Sequence, residues 1–263
     1  MIYRYLSAFF IFILFSAPTI AAQWTERAEI KSIFTDADVV GTFVLYDVSA
    51  DEFIGFNQAR AQTRYIPAST FKIANSLIGL SVGAVQNVDE ILPYGGGKQF
   101  IKAWENDMSL RDAIKISNVP IYQELARRIG LSRMQENVRR LDYGNMDIGP
   151  VVDRFWLDGP LEISAIEQVL FVSKLAQGEL DLSATDQQAV AEILEIEKTD
   201  ERTLYAKTGW QTATDPGIGW WVGWVKRGDK IYAFALNIDM NEIEDASKRI
   251  DLGKASLKAL GLL

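Results

Sequence analysis

Strand-like runs at the two ends of the chain enclose a long stretch of helical pattern, and this order constrains the fold more than any other feature. Residues 39–48 read V-V-G-T-F-V-L-Y-D-V, residues 49–52 supply turn types, and residues 53–56 form a second apolar run, the pattern of a β-hairpin. Near the other end, residues 203–210, 219–226 and 230–238 give three more strand-like runs, with Arg227-Gly228-Asp229 as the turn between the last two. Between them the spacing predicts helices over 71–80, 110–116, 121–129, 134–141, 163–175 and 187–196, the last with Ser183 and Asp186 as a capping box. From 246 to 260, apolar Ile250, Leu252, Leu257 and Leu260 lie among Lys and Asp, as in a helix covering a sheet. The expected fold is α/β in the α+β sense: a largely antiparallel sheet flanked by helices. Residues 23–66 and 200–263 form a discontinuous sheet domain and residues 67–199 an inserted helical domain, with a cleft where they meet.

Composition narrows the chemistry. An apolar content of 48% in 263 residues supplies a real core and excludes a disordered or collagen-like chain. There is no cysteine and no histidine, which removes the Ser-His-Asp triad, the Cys-His pair and metal sites built on nitrogen or sulfur. Hydrolysis would have to run on Ser, Thr, Lys, Tyr, Asp or Glu. No Asp-rich calcium loop stands in the sequence, so no metal is expected. The formal charge of −8 disfavours a nucleic-acid partner.

The amino end reads as an export signal. Arg4 is the only charge before Glu26, residues 6–15 are almost unbroken apolar, and small residues at Ala21 and Ala22 fit cleavage near that point. A membrane anchor is the alternative, although the run is short for a span. The expected location is the periplasm, without stable membrane association after cleavage, and stability there must come from the core because no disulfide can form.

The chemistry concentrates in three short motifs. Ser69-Thr70-Phe71-Lys72 puts a lysine one helical turn from a serine, a base for a nucleophile in a chain without histidine, and Pro67 fits a helix start that aims its dipole at the serine. About 0.7 such S-x-x-K matches are expected by chance, so the motif alone proves nothing. Lys207-Thr208-Gly209 is rarer, with about 0.04 expected, and lies in a predicted strand where glycine would admit a ligand backbone; an ordinary strand end is the alternative. Ser117-Asn118-Val119 gains value from its position between the two. Two glycine-rich stretches fail as phosphate loops: residues 94–98 lack the first P-loop glycine, and Val222 stands where a dinucleotide fingerprint needs glycine.

With S-T-F-K at 69–72, S-N-V at 117–119, Y-G-N at 143–145, F-W-L-D-G at 155–159, K-T-G at 207–209 and G-W-W-V-G-W at 219–224, the chain resembles the class D β-lactamases, in order over essentially the whole mature length. The resemblance implies the fold shared by serine β-lactamases and penicillin-binding proteins. It implies Ser69 as the acylated nucleophile and Lys72 as an N-carboxylated lysine, formed with carbon dioxide or bicarbonate, that serves as general base. Trp156 would stabilise the carbamate, and Ser117 with Lys207 would pass a proton to the leaving nitrogen. Ser69 and Trp210 would supply the oxyanion hole, and Thr208, Gly209, Arg249 and Val119 would bind substrate, with Tyr143 structural.

Three of these residues also have an ordinary reading on the sequence alone: Trp156 as a core aromatic, Ser117 as a helix cap, Arg249 as a solvated surface charge. The expected partners are small β-lactams, with the protein a monomer or homodimer. A penicillin-binding D,D-peptidase shares the Ser-x-x-Lys and Lys-Thr-Gly layout, and a β-lactam sensor would acylate without turnover. These are the two competing functions.

Overall fold

A computed structural model describes residues 23–263; the export signal expected at residues 1–22 lies outside the described residues. In chain order the elements are β1 (Gln23–Glu26), α1 (Ala28–Asp36), β2 (Gly41–Asp47), β3 (Glu52–Phe56), α2 (Gln58–Gln62), β4 (Arg64–Tyr65), α3 (Lys72–Ser81), α4 (Leu110–Lys115), α5 (Val119–Ile129) and α6 (Leu131–Arg140). They continue with β5 (Ile163–Ser164), α7 (Ala165–Gln177), α8 (Ala184–Leu194), β6 (Glu195–Lys198), β7 (Thr203–Gln211), β8 (Gly217–Arg227), β9 (Lys230–Met240) and α9 (Lys248–Ala259). Short 3-10 turns precede α3 and α9.

The five predicted strands are all present, within a seven-stranded sheet ordered β1-β3-β2-β9-β8-β7-β6. Its ladders are antiparallel except for β1, which runs parallel to β3. The β8–β9 hairpin closes between Arg227 and Lys230 through a two-residue turn in which Gly228 adopts φ +57°, the left-handed value that a tight hairpin demands. At the β2–β3 turn the Asp47 carboxylate accepts the backbone N–H groups of Ser49 and Ala50.

Alternation along β8 divides the core. Trp220, Val222 and Trp224 join the cluster beneath α3, α5 and α7, whereas Trp221 and Val225 join Phe34, Phe234, Leu252 and Leu257 beneath α1 and α9. Both faces of the sheet are therefore covered, which is why β8 is buried over nine consecutive residues. The α9 helix packs so closely that a Cβ on Gly253 would stand 2.1 Å from the Trp221 ring.

Three departures from the sequence expectation have a local cause. The helix expected to reach residue 196 stops at Leu194, and Glu195–Lys198 turns into the edge strand β6 against β7, its charged side chains suiting an edge. The helix expected from 163 begins at Ala165, because Ile163–Ser164 pairs with Arg64–Tyr65 and Ser164 caps the helix in a reciprocal box with Glu167. The helix expected from 71 begins at Lys72, after a 3-10 turn over Ala68–Phe71. Among the described residues no helix is long and apolar enough to cross a membrane.

Candidate active site

The serine turn is built to hold two side chains together. Pro67 enters at φ −69°, Ala68 takes φ +49°, and the 3-10 turn Ala68–Phe71 runs directly into α3. Side chains three residues apart eclipse one another in such a turn. Lys72 Nζ accordingly donates to Ser69 Oγ at 2.9 Å. Ser69 is half-buried, whereas Lys72 is fully buried, with the Tyr122 ring centroid 5.2 Å from its amine. Burial first, and the charge of Lys207 second, hold the Lys72 amine well below the ordinary lysine range, which favours the neutral amine over the ammonium. Among the described residues no carboxylate pairs with it.

Trp156 stacks on Phe71, the residue before Lys72, at 5.5 Å between ring centroids and meets Phe155 edge-on at 5.0 Å. Its indole N–H is buried without a hydrogen-bond partner. An unpaired buried donor costs about 1–3 kcal/mol, and buried polar groups ordinarily find partners. A buried amine without a carboxylate partner among the described residues, next in the chain to a phenylalanine stacked on a tryptophan with an orphaned indole N–H, fits a small anionic group carried on Lys72.

Ser117 and Lys207 meet across the site from different parts of the chain. Ser117 lies at φ +55° between α4 and α5, and its Oγ accepts a hydrogen bond from Lys207 Nζ, which also donates to Thr208 O at 2.8 Å. The helix-cap alternative for Ser117 falls away, because Asn118 caps α5 by accepting the Ile121 N–H at 3.2 Å. Val119 stands half-buried at the first position of that helix.

Burial, reinforced by the charge of Arg249, brings the Lys207 amine down to about 7. Between that value and the ordinary lysine value near 10.5, the unfolded chain holds a proton on this residue that the folded chain has released. Stability from this group therefore rises with pH across the window and is lost as pH falls through it. The Lys207→Met variant is expected to show a smaller gain in unfolding free energy between pH 7 and pH 10 than the parent, measured by urea denaturation; an identical gain would contradict the assignment.

β7 lies directly against the serine turn. A Cβ at Gly209 would stand 2.9 Å from Pro67 O and 3.1 Å from Thr70 Cγ2, so glycine is required by the protein's own turn. The missing side chain thus lets the strand bearing Thr208 and Trp210 approach the serine turn. Thr208 and Trp210 are half-buried. Arg249, on α9, donates from Nη1 to Gly209 O at 2.6 Å and from Nε to Ala246 O at 2.9 Å, and its guanidinium stands 5.9 Å from the Trp210 ring centroid. Gly219 leaves room for it: a Cβ there would lie 2.7 Å from Arg249 Cδ. Held between two backbone carbonyls, Arg249 departs from the solvated-charge alternative.

The profile of the penicillin binding protein transpeptidase domain matches residues 41–257, a span that includes every residue of this constellation. The chain is 36% identical to the β-lactamase OXA-5 of Pseudomonas aeruginosa over 98% of both chains. It is 38% identical to the β-lactamase OXA-48 of Klebsiella pneumoniae, over 96% of this chain and 95% of that one. The solved structure of FUS-1 (OXA-85), a class D β-lactamase from Fusobacterium nucleatum subsp. polymorphum, superposes with a TM-score of 0.88 at 44% identity, covering 91% of this chain and 100% of that one. The chain belongs to the class D β-lactamases. It is thus a hydrolase of cyclic amides on the mixed α/β fold anticipated from the motif order.

Several residues that shape this class D site are invisible to motif reading. Trp104 sits over the 116–118 segment, its indole donating to Ile116 O at 3.0 Å while its carbonyl accepts from Asn118 Nδ2. Behind the serine turn, Gln168 Nε2 donates to Thr70 Oγ1 at 2.8 Å, and Thr70 Oγ1 donates to Pro67 O. Tyr143 is fully buried edge-on against Phe71 and Phe171, a packing position. For Trp104 the available signal is a tryptophan in the loop between the helices expected at 71–80 and 110–116. Thr70 and Gln168 offered none, since their meeting depends on the approach of α7 to the turn.

Proposed function

We propose that the chain opens the β-lactam amide by forming an acyl-enzyme on Ser69, which water then hydrolyses, with Lys72 carrying carbon dioxide as an N-carboxylate. The observation that carries this reading is Lys72 itself: fully buried, without an anionic partner among the described residues and 2.9 Å from Ser69 Oγ, while Trp156, stacked on the adjacent Phe71, has an N–H with no acceptor among the described residues. Lys72 Nζ would hold the group and the Trp156 indole N–H would donate to it. When bound, the carboxylate supplies a general base for both formation and hydrolysis of the ester.

The remaining roles belong to the chain's own groups. Ser69 Oγ gives its proton to the general base as it bonds to the lactam carbonyl carbon, the C–N bond breaks, and the nitrogen takes a proton from the Ser117 hydroxyl, which regains one from Lys207 Nζ through their hydrogen bond. The backbone N–H groups of Ser69 and Trp210 receive the oxyanion. Thr208 and the three N–H donors of Arg249 not engaged with Gly209 and Ala246 bind the substrate carboxylate. Ser69, Lys72, Ser117 and Trp156 come from the 67–199 insertion and Lys207, Thr208, Trp210 and Arg249 from the second sheet segment, so the site occupies the junction of the two proposed domains. The apolar run at residues 6–15 supports export to the periplasm.

Many turnovers of a penicillin per protein molecule, with no release of D-alanine from a D-Ala-D-Ala peptide, is the expected result. D-alanine release at a comparable rate would move the assignment to a peptidase, and a burst limited to one equivalent would move it to a sensor.

A further inference from the structure

Arg249 is steadied by a turn that one buried carboxylate ties together. After β9 the chain passes through the 3-10 turn Ile243–Ala246 before entering α9. Asp245, 4% exposed, accepts the backbone N–H of Asn241 at 2.8 Å and of Glu242 at 3.2 Å, and pairs with Lys248 Nζ at 2.7 Å. The Glu242 side chain reciprocates by accepting a backbone N–H from Asp245. These bonds close the turn on itself and fix its last carbonyl, Ala246 O, which receives Arg249 Nε. The guanidinium thus hangs between that turn and Gly209 O on β7.

We propose that Asp245 is a positioning residue for substrate: by locking the 243–246 turn it sets where Ala246 O holds Arg249, and so controls recognition of the substrate carboxylate. The proposal rests on the reading of Arg249 as the carboxylate anchor. Asp245 touches neither Ser69, Lys72, Ser117 nor Lys207 through any hydrogen bond or ion pair, so its loss should act on binding and leave the chemical step in place. A guanidinium freed from one of its two carbonyls samples orientations that a planar carboxylate cannot meet in two-pronged fashion.

The experiment compares a penicillin with its methyl ester, which has no carboxylate for Arg249, in the parent and in Asp245→Ala, Asp245→Asn, Arg249→Ala and the Asp245→Ala/Arg249→Ala double variant. Asp245→Asn keeps one acceptor oxygen and serves if Asp245→Ala does not fold. Expected for the Asp245 variants is a KM for the acid raised about tenfold with kcat within about twofold, no change in kcat/KM for the ester, and a double variant no worse than Arg249→Ala alone. If Arg249→Ala leaves the KM for the acid unchanged, the anchor reading fails and the proposal with it. If Arg249→Ala raises that KM and the Asp245 variants do not, or if they weaken acid and ester alike, the anchor stands and the role of Asp245 is overturned.

Discussion

Lys72→Ala is expected to stop steady-state hydrolysis of a penicillin while leaving slow acylation of Ser69, so that protein accumulates carrying one covalent acyl group. The reason is that a single base serves both halves of the reaction. The first half retains partial assistance from the Ser69 turn, the oxyanion donors and the Ser117–Lys207 pair, whereas attack of water on the ester retains none of the base. General-base assistance contributes about 10²- to 10⁴-fold to a step, and the larger loss falls on deacylation. Ser69→Ala removes the bond-forming atom and is expected to lower turnover by roughly 10⁶-fold with no adduct. Intact-mass measurement after acid quench separates the two: one added acyl group for Lys72→Ala, none for Ser69→Ala. Substantial turnover by either variant would contradict the assignment.

Trp156→Phe is the second large effect. Phenylalanine keeps an aromatic ring against Phe71 and Phe155 and deletes the indole N–H, which has no partner among the described residues. If that N–H serves no group on Lys72, removing a buried unpaired donor should be neutral or stabilising. If it donates to a carboxylate on Lys72, the variant loses a hydrogen bond to a charged acceptor, worth about 1.5–3 kcal/mol. That corresponds to a roughly 10- to 150-fold higher bicarbonate concentration for half-maximal activity. A second readout is the carbamate carbon signal of protein equilibrated with ¹³C-labelled bicarbonate, which should be present in the parent and strongly reduced in the variant at the same concentration. Equal bicarbonate requirements in parent and variant would remove Trp156 from this role.

What could be read from the sequence and what could not divide along a physical line. Ser69 and Lys72 were legible as a pair because three-residue spacing alone brings them together, and the 3-10 turn aligns them more closely than the expected helix would. Ser117 and Lys207 stand 90 residues apart, and only the packing of β7 beside the α4–α5 junction makes them partners; their pairing was anticipated from family resemblance and not from pattern. Gly209 was legible as a site of close approach, but the approaching group is the protein's own serine turn. The five inner strands announce themselves through β-branched and aromatic runs, whereas β1 and β6 are short, polar edge elements defined by their neighbours. The α1 helix carries a sequence signal in Ile30, Ile33 and Phe34 at helical spacing, the residues that pack under the sheet. Asp245 carried none, since its carboxylate acts on backbone N–H groups that every sequence possesses.

The most direct test of the account is the rate of hydrolysis of a chromogenic cephalosporin by the purified protein, depleted of carbon dioxide and assayed with and without added bicarbonate. The account predicts that depletion suppresses turnover and that bicarbonate restores it. Fast turnover indifferent to bicarbonate would leave a β-lactamase in which Lys72 acts as a plain amine, and would contradict the role given to Lys72 and Trp156.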